Sequence, residues 1–229
     1  MITFKNKGNE IDMYIYGEIT AFPYDTNDKS AEDVRQELDM ANGQKLNIYI
    51  NSGGGDVFEG QAISALIERY KGYKACYIDG ICASIATKIP FACDEVNFAE
   101  GAYFMIHRAS GLAWGTYDDM LKMADTLEQI DNGLVTTYKN NSKMAEDDIR
   151  TKMRNETWYT SETINNDFSF NIVSGKKMAA CVTEETLNRF TNKPKDIEIV
   201  EKPDKVVNTL TNDEEVLEDN TLEFELKLL

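Results

Sequence analysis

A strand, a glycine-rich loop and a helix follow one another without a break in residues 45–72, and this pattern constrains the fold more than any other stretch. "KLNIYINSGGGDVFEGQAISALIERYKG" starts with an apolar strand, Leu46 to Ile50, and places Gly53 to Gly55 before a helix that closes at Gly72. Three glycines let the backbone approach a substrate carbonyl or an extended peptide without side-chain obstruction. We therefore predict a strand-to-helix connection of an α/β domain.

The same alternation recurs along the chain. "IDMYIYGEI" (11–19) predicts a strand, and "SAEDVRQELDMA" (30–41) predicts a helix with a serine cap and an acidic first turn. "YKACYIDG" (73–80) predicts a third strand, which leads into a helix beginning near Ser84, and "EVNFAEGAYFMIHRA" (95–109) predicts two short strands. Pro90 is expected to kink the helix that begins near Ser84. This order favours an α/β domain with a largely parallel sheet.

Two further segments define the rest of the chain. Residues 115–142 carry apolar side chains at helical spacing over about seven turns, which predicts a long helix that contributes to the core and to a subunit interface. From Asp196 onward there are eleven acidic residues against three lysines, half of the formal charge of −16. We predict a domain over residues 1–192 and an acidic, partly disordered tail over residues 193–229, with "TLEFELKLL" as a strand or docking segment.

Composition excludes several classes of function. A charge of −16 argues against binding to nucleic acid or to an anionic membrane, because such surfaces depend on Lys and Arg. The sequence has neither an apolar run of about 18 residues nor a signal peptide, so a cytoplasmic protein is expected. The four cysteines lack C-x-x-C spacing and lie among apolar or small residues, which predicts buried free thiols and no metal site.

Ser84 and His107 are the candidate reactive residues. A serine hydroxyl is a poor nucleophile until a base takes its proton, and His107 is the only histidine in the chain. If Ser84 starts a helix after a strand, neighbouring backbone N–H groups are free to stabilise an oxyanion, and the glycine loop offers more donors. That loop could equally bind phosphate, but the chain has no G-x-x-x-x-G-K-[ST] motif, so a nucleotide site is not expected.

Three motifs, "YINSGGGDVFEGQAISALI", "GICASIA" and "MIHRASG", in this order and at these separations, resemble the Clp proteolytic subunit family, ClpP, over residues 11–165. The resemblance implies a crotonase/ClpP-like α/β fold of repeated β-β-α units with a long oligomerisation helix. It also implies a serine endopeptidase. Ser84 falls on the family's nucleophile and His107 on its base, while Gly55 and Ile85 fall on the two oxyanion-hole residues.

The third residue of the triad departs from the family pattern. Where the family has an aspartate, "RNETWYTSE" places Glu156, with Asp147 and Asp148 as alternatives. A glutamate can orient an imidazole as an aspartate does. "WYTSE" resembles the version in ClpP-like proteases of phages and prophages, which process proteins during head maturation.

The resemblance also implies how substrate would be bound. Unfolded or flexible polypeptide would pair with the loop edge at Gly54, Asp56 and Val57 as an added strand, inside a homo-oligomer that is heptameric by resemblance. No cofactor or metal is implied, and ATP would enter only through an AAA+ unfoldase partner, which a phage-type enzyme can lack.

Two other functions stay open from the sequence. A crotonase-like acyl-CoA enzyme would use the same kind of oxyanion site, but it would need basic residues for the CoA phosphates, and these are scarce here. A catalytically silent ClpP-like assembly or scaffold protein is the second alternative, supported by Glu156 in place of the aspartate and by a divergent domain end at "SETINNDFSFNIVSG".

Overall fold

The computed structural model describes residues 2–21, 30–174, 184–194 and 197. Within them the chain forms one mixed sheet with helices packed against it, an α/β fold as predicted. The strands are β1 Ile2–Asn6, β2 Glu10–Tyr16, β3 Lys45–Ser52, β4 Lys74–Ala83, β5 Glu95–Ala99, β6 Tyr103–Ile106, β7 Thr157–Tyr159 and β8 Asn171–Val173. The helices are α1 Ala31–Ala41, α2 Val57–Arg69, α3 Tyr117–Asn140, α4 Glu146–Arg154, α5 Ile164–Asp167 and α6 Glu184–Leu187.

The strand order of the sheet is β1-β2-β3-β4-β5-β8, and β6 pairs with both β4 and β7. The pairs from β2 to β8 in this order are parallel, as is β4–β6, while β1–β2 and β6–β7 are antiparallel. The largely parallel sheet predicted from the sequence is therefore confirmed, but β1 was missed. Its sequence, "ITFKN", is too short and too polar to stand out before pairing with β2.

The two faces of the sheet differ in what covers them. Alternation in β3 turns Leu46, Ile48 and Ile50, all fully buried, toward the main hydrophobic core, to which α1 and α2 also contribute. On the other face, the rings of Tyr14 and Tyr49 stack with their centroids 4.8 Å apart, and Tyr49 and Tyr77 follow at 5.0 Å. Period-2 alternation thus gives one aliphatic face and one aromatic face.

Strand β4 changes partner along its length, and this change positions the candidate site. Its first half pairs with β5 from Ala75 to Ile78, whereas its last three residues, Ile81 to Ala83, pair with β6. A register shift in the pairing with β3, between Ile50 and Ser52, accompanies the change. The ends of β4 and β6 consequently lie side by side, and Ser84 and His107 follow these two ends.

The helix expected at Ser84 differs in type from the helix observed. Residues Ser84–Lys88 and Pro90–Ala92 form two short 3₁₀ turns instead of one α-helix. Pro90 has no backbone N–H, and its ring would clash with the carbonyl four residues earlier, at Ala86, so an α-helix cannot continue through it.

Other expectations have mixed outcomes. The Ser30 cap, the two strands around Glu100 and the long helix, here α3, are confirmed. Cys76 and Cys82 are buried free thiols, and burial raises the pKa of each well above its usual value, whereas Cys93 is half-buried and Cys181 lies outside the described residues.

Most of the predicted acidic tail, including "TLEFELKLL", lies outside the described residues. Of its described members, Ile197 is buried in a small cluster with Ile81, Ala83 and Met105 of the sheet. The boundary at residue 192 remains a prediction, although Ile197 packs on the domain.

Two other kinds of feature are absent from the described part of the chain. No helix there is both long enough and apolar enough to cross a membrane. Nor do three or more His, Cys, Asp or Glu side chains of that part of the chain come together as a metal site.

Candidate active site

Ser84 lies at the turn immediately after β4, in a backbone conformation that side-chain-bearing residues rarely adopt. Its φ is 57°, in the left-handed region, and Ala83 before it is extended. Hydrogen bonds of the buried Thr87 hold the turn in place. The Thr87 hydroxyl donates to the Ser84 carbonyl at 2.5 Å, and it lies 2.6 Å from the hydroxyl of Tyr138 on α3. Buried groups thus hold a strained turn that half-exposes the Ser84 side chain.

His107 meets Ser84 across the sheet. The pairing of Ala83 with Met105 brings the ends of β4 and β6 together, and Ser84 and His107 lie just beyond these ends. His107 Nε2 is 2.7 Å from Ser84 Oγ. This distance is that of a hydrogen bond between a hydroxyl and an imidazole nitrogen. The two reactive residues predicted from the sequence are therefore together.

The electrostatics of the pair suit a base. Burial of the imidazole lowers the pKa of His107 below its ordinary value, and the negative charges of Glu156 and Asp131 oppose that shift without reversing it. A lowered pKa leaves His107 neutral at neutral pH. Only the neutral imidazole can accept the proton of Ser84.

Glu156 lies near His107 but is bound elsewhere. It follows the end of α4 with a positive φ of 50°, and its two carboxylate oxygens accept hydrogen bonds from the backbone N–H groups of Thr191 (3.1 Å) and Asn192 (2.6 Å). Within the described residues, the hydrogen bond of His107 is the one with Ser84. Glu156 acts on His107 through its charge, so its predicted role in the triad stays a prediction.

The two alternative carboxylates are placed differently. Asp147 and Asp148 lie in the first turn of α4 and are exposed. Neither is among the groups that shift the pKa of His107.

Asp131, on α3, is the site-adjacent carboxylate that sequence reasoning missed. Its side chain accepts from Arg108 Nε at 2.6 Å and from the Ala109 N–H at 2.7 Å, the two residues that follow His107, and the residue is only 4% exposed. A signal was present, because Asp131 stands four residues from both Leu127 and Val135 on the apolar stripe of the long helix. An acid in such a stripe indicates a buried partner.

The glycine loop and Ile85 lie beside Ser84. Gly54 has a φ of +90°, and a Cβ built on it would lie 2.7 Å from Ser84 Cβ and 3.2 Å from the Ile85 nitrogen, so only glycine fits there. Ile85 is the second residue of the 3₁₀ turn, where the first N–H groups lack partners within the helix. The glycine loop therefore touches the turn that carries Ser84 and Ile85.

Gly55 is oriented by a single parallel bridge to Ile19. The Ile19 N–H donates to the Gly54 carbonyl at 2.9 Å, and the Asp56 N–H donates to the Ile19 carbonyl at 2.8 Å. In such a bridge the N–H and C=O of the middle residue point to the opposite edge. The Gly55 N–H thus points away from Ile19.

Two residues of the predicted substrate-binding edge at Gly54, Asp56 and Val57 belong to the start of α2. Asp56 caps α2, accepting from the Phe58 N–H at 2.8 Å and the Glu59 N–H at 3.0 Å, and Val57 is the first residue of that helix. Because Ile19 already takes the Gly54 carbonyl and the Asp56 N–H, the groups of Gly55 are the ones left on the other edge. Substrate pairing at this loop stays a prediction.

Comparison with known proteins identifies the family of the chain. The sequence profile of the Clp protease family matches residues 8–166, more than half of the chain. Among solved structures, the ClpP1 N165D mutant from Listeria monocytogenes superposes with a TM-score of 0.61 at 20% identity, covering 72% of this chain and 92% of that one. The structural likeness shows the shared fold, and the profile match shows the family: this chain belongs to the Clp protease family, a family of serine peptidases.

Proposed function

We propose that this protein is a serine endopeptidase that hydrolyses peptide bonds of unfolded or flexible polypeptides. The observation that carries the proposal is the 2.7 Å contact between Ser84 Oγ and His107 Nε2, made where burial lowers the pKa of the histidine. A poised serine beside a neutral imidazole is the arrangement that acyl transfer needs.

In the proposed mechanism, Ser84 Oγ attacks the scissile carbonyl while His107 Nε2 takes its proton. His107 then gives that proton to the departing amine, and an acyl-enzyme on Ser84 remains. A water molecule activated by the same imidazole hydrolyses the acyl-enzyme ester and frees Ser84. The N–H groups of Gly55 and Ile85 stabilise the oxyanion. Glu156 supplies the carboxylate that orients the imidazole and stabilises its charged form, once it faces His107.

Assembly into a ring of identical subunits is the second part of the proposal, and seven subunits are implied by resemblance. An exposed apolar patch supports it, made by five large side chains at the start of α3 and in the loop before it: Leu112, Trp114, Tyr117, Met120 and Leu121. Trp114 is 99% exposed. Large apolar side chains exposed close together along one stretch of chain are typical of an interaction site.

Subtype, partner and location are proposed from the sequence motifs alone. "WYTSE" favours the phage or prophage type, an AAA+ unfoldase is the family's kind of partner, and the free thiols fit a cytoplasmic setting.

The test of the activity is intact-mass spectrometry after treatment with a fluorophosphonate. We expect one adduct on the wild type and none on Ser84→Ala or His107→Ala, because the probe needs an activated hydroxyl. Ser174→Ala, which removes an exposed hydroxyl far along the chain, serves as the control and should label like the wild type. No adduct on an assembled wild-type particle would instead favour the alternative function, a catalytically silent assembly protein.

The test of assembly is light scattering on Met120→Asp. A carboxylate in the exposed apolar patch should lower the particle mass, whereas Gln129→Asp adds the same charge at an exposed position on the same helix and should leave it unchanged. An unchanged mass for Met120→Asp would remove this patch as the interface.

A further inference from the structure

A short segment near the end of the described chain lies directly against the base and the acid of the candidate site. We call residues 187–192 the strap. The ring of Phe190 meets the His107 ring edge to face with centroids 5.8 Å apart, and it meets Trp158 in the same way at 5.3 Å. Phe190 is only 5% exposed, so it covers one side of the imidazole.

The strap also binds the carboxylate that the triad requires. Both oxygens of Glu156 accept from strap N–H groups, at Thr191 and at Asn192. Hydrogen bonds to an ionised carboxylate are stronger than those between neutral groups. To orient His107, the carboxylate must turn toward the imidazole and give up at least part of this contact.

The strap is anchored at its other end to the support of the glycine loop. Arg189 makes a bidentate ion pair with Glu18, at 2.7 and 3.0 Å, and Glu18 precedes Ile19, which bridges Gly55. Leu187 packs in the small cluster with Ile81 and Met105. The strap therefore spans from the oxyanion side of the site to its acid side.

We propose that the strap is an autoinhibitory element, which holds Glu156 away from its role at His107 and covers the imidazole until it is released. The inference rests on the proposed peptidase function. Release breaks the two hydrogen bonds to Glu156, a third from the Asn192 side chain to the Asn155 carbonyl, an exposed ion pair and a small apolar cluster. It leaves the main core intact, so it costs much less than unfolding the domain. Release frees Glu156 to bind His107, and the same movement opens the side of the site where Phe190 lies.

The decisive variant removes the hydrogen-bond donors of Asn192 from the strap in the full chain. Asn192→Pro deletes the N–H that lies 2.6 Å from Glu156 and also the side chain that donates to the Asn155 carbonyl. Lys193→Pro is the control because it likewise places a proline here and removes a side chain that donates to Asn188, but the Lys193 N–H has no acceptor among the residues described. We expect Asn192→Pro to react with the fluorophosphonate about tenfold faster than the wild type, within the usual range of coupling between sites. Lys193→Pro should react at the wild-type rate.

Equal or slower labelling of Asn192→Pro would overturn the autoinhibitory role. Labelling of none of these proteins would instead mean that the peptidase proposal fails, since Ser84 would then be unreactive with or without the strap.

A readout that needs no activity tests the strap in that case. Amide hydrogen exchange at Thr191 and Asn192 should be slow in the wild type and fast in Glu156→Ala, with Glu162→Ala, an exposed glutamate, as control. Equal exchange in the wild type and Glu156→Ala would show that Glu156 does not hold the strap, and the proposal would fall.

Discussion

The two halves of the candidate site are held by different kinds of structure. Ser84 and His107 follow adjacent strands of the central sheet, and their turns rest on fully buried residues such as Phe104 and Tyr138. Glu156 follows the end of a short helix, and its carboxylate is held by the strap. Close packing fixes Ser84 and His107, whereas the position of the Glu156 carboxylate depends on a few polar contacts with the strap. In the autoinhibition that we propose, the Glu156 half is the half that regulates the site.

The largest expected effect separates two buried phenylalanines, Phe104 in β6 and Phe190 in the strap. Phe104→Ala removes a ring from the core beneath β6 and should lower the free energy of unfolding by about 3–5 kcal/mol. Phe190→Ala should lower it by less than about 2 kcal/mol, because the strap opens without the core. Urea unfolding measures both, with Phe58→Ala, 72% exposed, as the control. Equal losses at Phe104 and Phe190 would show that the strap belongs to the core.

The next effect tests how tightly the nucleophile half is packed. Gly54→Ala would put a Cβ against Ser84, while Gly8→Ala has nearly the same φ, +87°, with nothing within 4 Å. Both carry the strain of a left-handed alanine, about 1–3 kcal/mol. Only Gly54→Ala should also displace Ser84, and this displacement should lower its labelling rate about 100-fold relative to Gly8→Ala. Labelling of Gly54→Ala at the rate of Gly8→Ala would mean that the loop yields without moving Ser84.

A smaller effect concerns the dependence of labelling on pH. Neutral His107 is the reactive form, and burial lowers its pKa, so the rate should fall on acidification only below the ordinary histidine value of about 6.5. Negative charges stabilise the imidazolium and raise its pKa. Glu156→Gln and Asp131→Asn should therefore move the inflection to lower pH, and Glu156→Gln should move it further because its charge has the larger influence.

Asp125→Asn, an exposed carboxylate on α3, is the control for that series and should leave the inflection in place. A shift to higher pH in Glu156→Gln would contradict the charge assignment.

The smallest effect belongs to the ion pair that anchors the strap. Arg189 and Glu18 are both partly exposed, so Arg189→Ala should change the free energy of unfolding by about 0–1 kcal/mol. The difference from the wild type should shrink further in 1 M salt, where the screening length is about 3 Å. A loss of unfolding free energy above about 2 kcal/mol that persists in salt would show that Arg189 is held as firmly as the residues around Ser84 and His107.

Local sequence was enough for the elements and for the reactive pair. Alternating and helical spacing predicted β2 to β6 and the helices α1 to α3, because amphipathic periodicity depends only on which residues face the core. The single histidine, the serine after a strand and the glycine loop were likewise readable in order along the chain. Pro90 indicates that an α-helix cannot continue through it, but the 3₁₀ form of residues 84–88 was not readable, because tertiary contacts hold their strained first residue.

The sequence by itself determined the α/β class, the family motifs and the pair Ser84 and His107, since each rests on residue type and spacing. Only the tertiary structure placed Asp131 under the segment after His107 and the strap on Glu156. Those contacts join residues more than 20 positions apart, and the strap's are made by backbone N–H groups, which every residue except proline carries. No side-chain pattern encodes such a contact, so the surroundings of the acid became visible only in the folded chain.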